Sequence, residues 1–253
     1  MPSGATSNLN LRSSEPLYRQ IERDILQCLA EGEWRAGAQL PIESELAKRF
    51  GVAIYTVRAG IGRLVEAGIL ARRQGKGTFV ARHERDRTRQ RFSHVFDFEN
   101  RKIIPTRETV TFFRKQPADK REIELLRLGE RGQRGVLRWE TIVEFEGEAI
   151  SLRQTTVPAY LFPGLTARAL RENKQNTYAL YQDLCGLNVI RMEDRVRAMR
   201  ADVHVAEILH LKRGHPLLCV DRTAYTYNDV PVELRTRSFD SSRFHYRSVQ
   251  PGI

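Results

Sequence analysis

Apolar residues near the start of the chain recur at helical spacing. From Leu17 to Leu29 one apolar residue follows another at every fourth position, so they would share one face of a helix. Ser14 is a candidate N-cap, Pro16 suits the first turn, and Gly32 would end the segment. The pattern predicts a first amphipathic helix.

Two shorter helices are predicted next, separated by a tight turn. Leu46 and Phe50 mark one face of a second helix that ends at Gly51. A third helix runs over about residues 55–67 and ends at Gly68. Two short helices joined by a glycine-containing turn have the length of a helix-turn-helix.

The following stretch alternates as two short strands around a glycine-bearing turn. Residues 69–80 show this pattern, and Gly75-Lys76-Gly77 form the tip of the hairpin. A hairpin directly after a helix-turn-helix is a wing, whose glycines let the backbone approach a phosphate or a groove wall. The alternative is a nucleotide-binding glycine loop, which needs a helix N-terminus after the glycines. Because a strand follows instead, we favour the wing.

Positive charge is concentrated around these elements. The formal net charge of the chain is +11, which favours a polyanionic partner such as nucleic acid. Residues 58–91 hold ten basic residues against only Glu66, Glu84 and Asp86. These positions are where duplex phosphates would lie, although a solvated basic surface remains the plain alternative.

Five ordered blocks resemble the GntR family of regulators, and in particular its HutC-like branch. The blocks are Pro16-Leu17-Tyr18-x-Gln20-Ile21, Leu40-Pro41-x-Glu43-x-Glu45-Leu46-Ala47, Phe50-Gly51-Val52, Thr56-Val57-Arg58 and Gly75-Lys76-Gly77-Thr78-Phe79-Val80. The resemblance implies a dimeric protein that binds a double-stranded DNA operator. It also implies that the third helix enters the major groove and that the wing tip reaches the minor groove.

Three positions depart from the family pattern. Ser44 stands where family members commonly carry Arg, and Ala53-Ile54 stand where they carry Ser or Thr followed by Arg. Ile54 could touch a thymine methyl group but cannot pair with guanine, so an atypical operator is expected. For Arg58 we favour a DNA contact over a structural ion pair. The residues expected at DNA are Ser44, Lys48, Ala53, Ile54, Tyr55, Thr56, Arg58, Gln74, Gly75, Lys76, Gly77 and Thr78.

The second half alternates between predicted strands and short helices, which indicates an α+β fold with an antiparallel sheet. The strands are predicted at 109–113, 136–145, 149–157, 217–227 and 230–239, and the helices at 118–126 and 203–211. Glu146-Gly147-Glu148 and Asn228-Asp229 mark two hairpin turns. The predicted organisation is a disordered tail at 1–13, a winged helix-turn-helix at 14–81, a linker at 82–91 and a second domain at 92–250.

This second half resembles the UTRA ligand-sensing domain of HutC-like regulators, whose fold is similar to that of chorismate lyase. The residues that carry the resemblance are Gly147-Glu148, Val157-Pro158, Phe162-Pro163-Gly164-Leu165, Ala206-x-x-Leu209, Pro216-Leu217-Leu218, Arg222-Thr223-Ala224-Tyr225 and Pro231-Val232-Glu233. The resemblance implies a homodimer with an effector pocket between sheet and loops. It assigns effector contacts to Phe92-Ser93 and Glu233. Residues 140–143 replace arginines that hold a sugar phosphate in some relatives, which disfavours a phosphosugar.

Arginines on the predicted strands could clamp a carboxylate or a phosphate, so an anionic effector is one alternative. Alternation with period two places Arg235 and Arg237 on the same face as Glu233, although solvated arginines on an outer face would show the same pattern. The residues expected at the effector are Phe92, Ser93, Arg138, Arg153, Glu233 and Arg235.

Several other functions are disfavoured by the sequence. The chain lacks an apolar run long enough to span a membrane and an export signal, so a cytoplasmic location is expected. Three scattered cysteines and six scattered histidines predict no disulfide framework and no metal site. An enzyme is disfavoured because the sequence has no nucleophile elbow and no cofactor loop. RNA binding is disfavoured because the third-helix block is typical of proteins that read the major groove, which A-form RNA hides. The expected function is a ligand-responsive repressor without a cofactor.

Overall fold

The computed structural model describes residues 14–82, 94–173 and 176–248. The chain forms two compact units that divide after Arg82. The first unit is mainly helical, whereas the second is built on a large sheet. The predicted tail and nearly all of the predicted linker lie outside the described residues.

The first unit contains three helices followed by a hairpin. Its first helix has Pro16 as the N-cap, so the prediction that Ser14 caps this helix is wrong. Gly51 ends the second helix with φ at 66°, the left-handed conformation common at helix C-termini. The elements are α1 (Leu17–Ala30), α2 (Glu43–Phe50), α3 (Ile54–Glu66), β1 (Leu70–Arg73) and β2 (Gly77–Val80).

A close approach between α1 and α3 holds the first unit together. A Cβ atom at Gly60 would stand 3.0 Å from Cγ2 of Ile21 and 3.0 Å from the carbonyl oxygen of Tyr18. Val57 and Ile61 are buried on the same side of α3. Because a larger residue at position 60 would push the helices apart, this contact fixes which face of α3 is turned outward.

A six-stranded antiparallel sheet forms the centre of the second unit. The strands of this unit are β3 (Val95–Asp97), β4 (Arg107–Gln116), β5 (Val136–Phe145), β6 (Glu148–Pro158), β7 (Arg191–Arg200), β8 (Pro216–Tyr225), β9 (Pro231–Asp240) and β10 (Phe244–Tyr246). The sheet order is β4-β5-β6-β9-β8-β7, and β3 pairs with β10 in a separate ribbon. The predicted antiparallel α+β fold is confirmed.

Short helices connect the strands of the second unit. They are α4 (Lys120–Leu125), α5 (Ala167–Glu172), α6 (Thr177–Cys185) and α7 (Val203–Ile208). Each begins at a side-chain cap, in which Asp119, Thr166, Asn176 or Asp202 accepts a hydrogen bond from a backbone N–H in the first turn. The capping residues therefore set where these helices begin.

The predicted turn between β5 and β6 is present. Glu146 and Gly147 have φ values of 52° and 85°, and a two-residue hairpin turn of type I′ needs positive φ at both positions. This turn places Phe145 opposite Glu148 and so starts the register of the whole hairpin. The register in turn decides which side chains share a face of the sheet.

One face of the sheet, which we call the front face, carries two hydrophobic clusters at its ends. Trp139 and Val157 pack against Tyr181 of α6 at one end. Val143 and Phe239 pack against the β3–β10 ribbon at the other. Between these clusters the front face is polar. The back face is covered by α7, which packs against buried residues of β6 and β8, and it is flanked by α4.

Candidate DNA interface and effector site

The outward side of α3 begins at its first turn. Ile54 is 45% and Tyr55 75% exposed, and the side chain of Arg58 is 63% exposed. Ala53 is the N-cap and makes no side-chain capping bond, as its lack of a hydroxyl predicts. Because Arg58 follows Ile54 by four residues and Tyr55 adjoins Ile54, the three side chains form one continuous surface that a DNA groove could meet.

The expected DNA contact of Thr56 is corrected by its burial. Thr56 is only 5% exposed and lies on the side of α3 that faces the core, together with Val57 and Gly60. A side chain enclosed in this way cannot reach a base edge. Residues 56, 57, 60, 61 and 64 follow the helical period, so the phase of the apolar positions already indicated an inward Thr56.

Glu43 links the exposed side of α3 to the wing. The Nε atom of Arg58 donates to Oε2 of Glu43 at 2.8 Å, and Nη2 of Arg72 lies 3.3 Å from Oε1 of the same carboxylate. Arg58 therefore makes the structural ion pair that the sequence left as an alternative, while most of its side chain stays exposed. The helix and the wing present their arginines side by side at a cleft of about 550 Å³.

The wing tip is an exposed turn with a supported backbone. Gly75 has φ at 68°, and Lys76 is exposed at the end of the turn. The side-chain amide of Gln39 donates to the carbonyl oxygen of Lys76 at 2.9 Å, and a Cβ atom at Gly77 would meet that same amide at 2.9 Å. The structure thus brings Gln74, Gly75, Lys76 and Gly77 together at the tip, with Thr78 half-buried behind them.

The predicted residues of α2 lie at different distances from the cleft. Ser44 is half-buried and lines the cleft together with Ile54 and Gln74. Lys48 is exposed one turn further along α2 and is not part of the cleft lining. Ser44 therefore belongs to the same surface as the first turn of α3, and Lys48 lies beside it.

The polar part of the front face consists of two adjoining rows of cross-strand partners. Thr141 on β5 pairs with Arg153 on β6, which pairs with Arg237 on β9. The second row contains Thr155, Arg235, Arg222 and Asp194, on β6, β9, β8 and β7. We call these seven residues the polar band. Because directly paired residues point to the same side of a sheet, all seven project toward the front.

Glu233 lies beside the polar band and is fully enclosed. Its carboxylate accepts hydrogen bonds from the hydroxyl groups of Tyr178 and Tyr181, at 3.0 and 2.6 Å, and pairs with Nη2 of Arg235 at 2.7 Å. Burial, and then the charges and hydrogen bond of Glu233, raise the pKa of both tyrosines, so they remain donors. Glu233 thus orients Arg235 and two helix residues.

Two further arginines of the polar band have carboxylate partners. Arg222 contacts Asp194 through Nε at 2.6 Å and Nη2 at 2.7 Å, a two-bond pair. Burial alone would lower the pKa of Arg222 and raise the pKa of Asp194, but the hydrogen bonds and charges of the pair reverse both shifts. Arg153 pairs with Glu108 on β4 at 2.5 Å. Asp194 and Glu108 are functional candidates that sequence reasoning did not find.

The expected effector contact of Arg138 is corrected by the register of β5. Arg138 pairs with Thr156, whereas Thr141 pairs with Arg153, so Arg138 points to the back face. There its Nε donates to Oε1 of Glu122 at 2.6 Å. Arg138 therefore lies on the opposite side of the sheet from Arg153, Arg235 and Glu233, and it cannot share their site.

Two residues that the sequence places at the effector, Phe92 and Ser93, lie outside the described residues. Within the described ranges no three His, Cys, Asp or Glu side chains are grouped so that they could hold a metal ion. No helix in the same ranges is both long enough and apolar enough to cross a membrane.

Comparison with known families assigns both units. Residues 17–80 match the bacterial regulatory proteins of the gntR family, and residues 105–245 match the UTRA domain. The chain is a GntR-family regulator with a UTRA domain. It is therefore a DNA-binding transcription regulator that senses a small molecule, and neither family is one of enzymes. The resemblance seen in the sequence blocks is confirmed.

Two relatives match this chain along most of the length of both proteins. The GntR–UTRA regulator is 29% identical over 249 residues to the HTH-type transcriptional regulator Rv0792c of Mycobacterium tuberculosis, covering 95% of this chain and 88% of that relative. It is 26% identical over 232 residues to the histidine utilization repressor of Pseudomonas putida, covering 89% and 90% of the two chains.

A solved structure supports the fold of the sensing half. The GntR–UTRA regulator is similar to the ligand-binding domain of a GntR-family transcriptional regulator from Bordetella bronchiseptica, with a TM-score of 0.58 and 26% identity. The likeness covers 63% of this chain and 98% of that domain. The sheet that carries the polar band is therefore the core of a ligand-binding fold.

Proposed function

We propose that this GntR–UTRA regulator is a repressor whose binding to an operator duplex is weakened by a small molecule held over the polar band. The Pseudomonas putida relative, which matches this chain along most of its length, is a repressor of histidine utilization. The proposal of the front face as the effector site is supported by the buried polar groups that lie there between two hydrophobic clusters.

The DNA side of the proposal rests on one observation, the convergence of Arg58 and Arg72 on Glu43. Because both arginines are about half-exposed or more, a phosphate or a guanine edge can take over the hydrogen bonds that Glu43 now accepts. In this proposal Tyr55 and Ile54 meet the groove, Ser44 and Lys48 lie beside it, and the wing tip follows the backbone. Until DNA binds, Glu43 keeps the two guanidinium groups in place.

The proposed regulator acts as a homodimer. A two-fold pair of recognition helices reads two half-sites about one helical turn of DNA apart, so the operator should be an inverted repeat. Light scattering after size exclusion tests this directly, and a monomeric mass at micromolar concentration would contradict it.

The coupling between the two sites is thermodynamic linkage. The protein has one arrangement that fits DNA well and one that fits it poorly. If the effector binds more tightly to the second arrangement, it weakens DNA binding by the same factor by which DNA weakens effector binding. A thermal-shift screen of metabolites can identify such an effector, because a ligand of the folded state raises the melting temperature.

The decisive experiment is selection of bound duplexes from a random library, followed by affinity measurements on the selected sequence. Arg58→Ala should weaken binding by at least about tenfold, because one charge-assisted contact is worth about 1.5–3 kcal/mol. Arg63→Ala is the matched control, since Arg63 is an exposed arginine of the same helix whose partner is Glu22 on α1. We expect it to change affinity less than threefold.

Two results would overturn the DNA assignment. One is that no sequence is enriched from the random library. The other is that Arg58→Ala and Arg63→Ala weaken binding equally, which would mean that only the overall charge of the protein matters.

A further inference from the structure

The polar band contains an unusual concentration of buried polar atoms that have no hydrogen-bond partner among the described residues. They are Oγ1 of Thr141, Nε of Arg153, Oγ1 of Thr155, Nε of Arg235, and both Nε and Nη2 of Arg237. All of them lie in the two adjoining rows of the front face. Since buried polar groups in folded proteins are nearly always satisfied, such a cluster indicates a site built for a ligand.

The arginines of the polar band are not equally paired. Arg153, Arg222 and Arg235 each have a carboxylate within 2.7 Å, namely Glu108, Asp194 and Glu233. Arg237 has no carboxylate partner among the described residues, and its guanidinium carbon lies 5.7 Å from the ring of Phe239. One positive charge of the band is therefore left without a counter-charge.

The position of the Arg237 charge within the sheet is energetically unfavourable. Arg237 stands directly opposite Arg153, and in the next row Arg222 stands opposite Arg235. Like charges in directly opposed positions destabilise a sheet. Burial and the charge of Arg222 lower the pKa of Arg237 to about 9, which leaves the guanidinium largely protonated at neutral pH. The fold alone gives no reason for this arrangement.

We propose that Arg237 is the residue that anchors the effector, and that the group it anchors is a carboxylate bearing a single negative charge. Nε and Nη2 point along one edge of the guanidinium group, the edge that pairs with the two oxygens of a carboxylate. With one negative charge at this edge, each of the four arginines of the polar band has a carboxylate partner. This inference rests on the proposed effector site and names the chemical class of its ligand.

The neighbouring unpartnered groups extend the description of the ligand. Nε of Arg153, across from Arg237, is a further donor, and the hydroxyl groups of Thr141 and Thr155 can donate or accept. A carboxylate with an additional hydroxyl or carbonyl oxygen satisfies these groups together. Arg235 keeps its partner Glu233, and its Nε also has no hydrogen-bond partner among the described residues.

The test uses thermal unfolding of the full-length protein in solutions of constant ionic strength, in which chloride is replaced stepwise by acetate. Acetate is the probe because it carries the proposed group and little else. For the wild type we expect the melting temperature of the sheet domain to rise with acetate concentration, since acetate binds only the folded state. Calorimetry separates the transitions of the two units.

Two variants make the result specific. Arg237→Met removes the unpaired charge at similar volume, so its melting temperature in chloride should be higher than that of the wild type, and the rise with acetate should be lost. Arg138→Met is the matched control on the back face, where it removes the arginine that pairs with the buried carboxylate of Glu122. It should lower the melting temperature and keep the acetate response.

The inference is overturned if acetate has the same effect on the wild type and on Arg237→Met. It is also overturned if Arg237→Met lowers the melting temperature in chloride, because that result would mean that another part of the chain supplies the counter-charge. A parallel series with inorganic phosphate distinguishes the anions, and a larger rise with phosphate would contradict the carboxylate assignment. Duplex selection is scored separately, so failure of DNA recognition and failure of anion binding give different results.

Discussion

The two units of the regulator use arginine in opposite environments. In the DNA-binding unit Arg58 and Glu43 form a pair whose side chains are 63% and 24% exposed. In the sensing unit Arg235 and Glu233 form a pair at 8% and 0% exposure. The two pairs have nearly the same contact distance, 2.8 and 2.7 Å. Their access to water is very different.

That difference decides what each pair can do. An exposed pair contributes little to stability, because water can replace either partner, and so it can exchange its carboxylate for a phosphate at little cost. A buried pair has lost its hydration and depends on its partner. The first arrangement suits a surface that must bind and release DNA, and the second suits a frame that positions a ligand site.

Removal of one carboxylate from each pair should give the largest effect. Glu233→Gln leaves Arg235 without its counter-charge in the core, and we expect a loss of about 3–5 kcal/mol in the free energy of unfolding of the sensing unit. Glu43→Gln should cost less than about 1 kcal/mol, because Arg58 can turn to water. Urea unfolding followed by circular dichroism measures both. Equal losses would show that exposure does not separate the two pairs.

Salt concentration should affect DNA binding strongly and the stability of the sensing unit only weakly. Affinity for the selected duplex should fall at least about tenfold between 50 and 200 mM salt, because phosphate contacts release counterions. The unfolding free energy of the sensing unit should change little over this range, since buried pairs are screened weakly. Fluorescence anisotropy and urea unfolding in the same buffers provide the measurements. A flat salt dependence of DNA binding would argue against phosphate contacts.

A smaller effect is expected from pH, through the buried pair of Arg222 and Asp194. Burial alone would raise the pKa of Asp194, but Arg222 outweighs it and lowers that pKa. As pH falls, the Asp194 carboxylate therefore takes up a proton in the unfolded state at a higher pH than in the folded state. The stability that the pair contributes is present above about pH 4 and is lost below it. Unfolding free energies from pH 6 to pH 2.5 should show this slope. Asp194→Asn should flatten it, and an unchanged slope would exclude this pair as its source.

The sequence predicted most of the fold wherever the pattern was amphipathic. The hairpin of β5 and β6 has alternating apolar residues and a turn at Glu146-Gly147, so its strands and their connection were predictable. β7 was not predicted, because it is an edge strand whose residues from Arg195 to Arg200 are all exposed. Because this half of the strand has no buried face, it leaves no period in the sequence.

The candidate sites were predictable in residue type more than in arrangement. The shared face of Glu233, Arg235 and Arg237 followed from alternation within one strand. The opposite orientation of Arg138 could not be predicted, because it depends on the register between strands and on the irregularity between Val143 and Glu144. The role of Glu43 as a shared partner also requires the fold, since it joins α2 to residues on two later elements.

The exposed first turn of α3 has a consequence for how such regulators diversify. Ala53, Ile54 and Tyr55 are all exposed, and the packing of α3 against α1 is maintained instead by Gly60 and its buried neighbours. In the proposed DNA interface, substitutions in the first turn therefore alter the preferred operator at little cost in folding. A gene copy of this regulator could acquire a new set of target promoters through one or two amino-acid changes while its metabolite response is inherited intact.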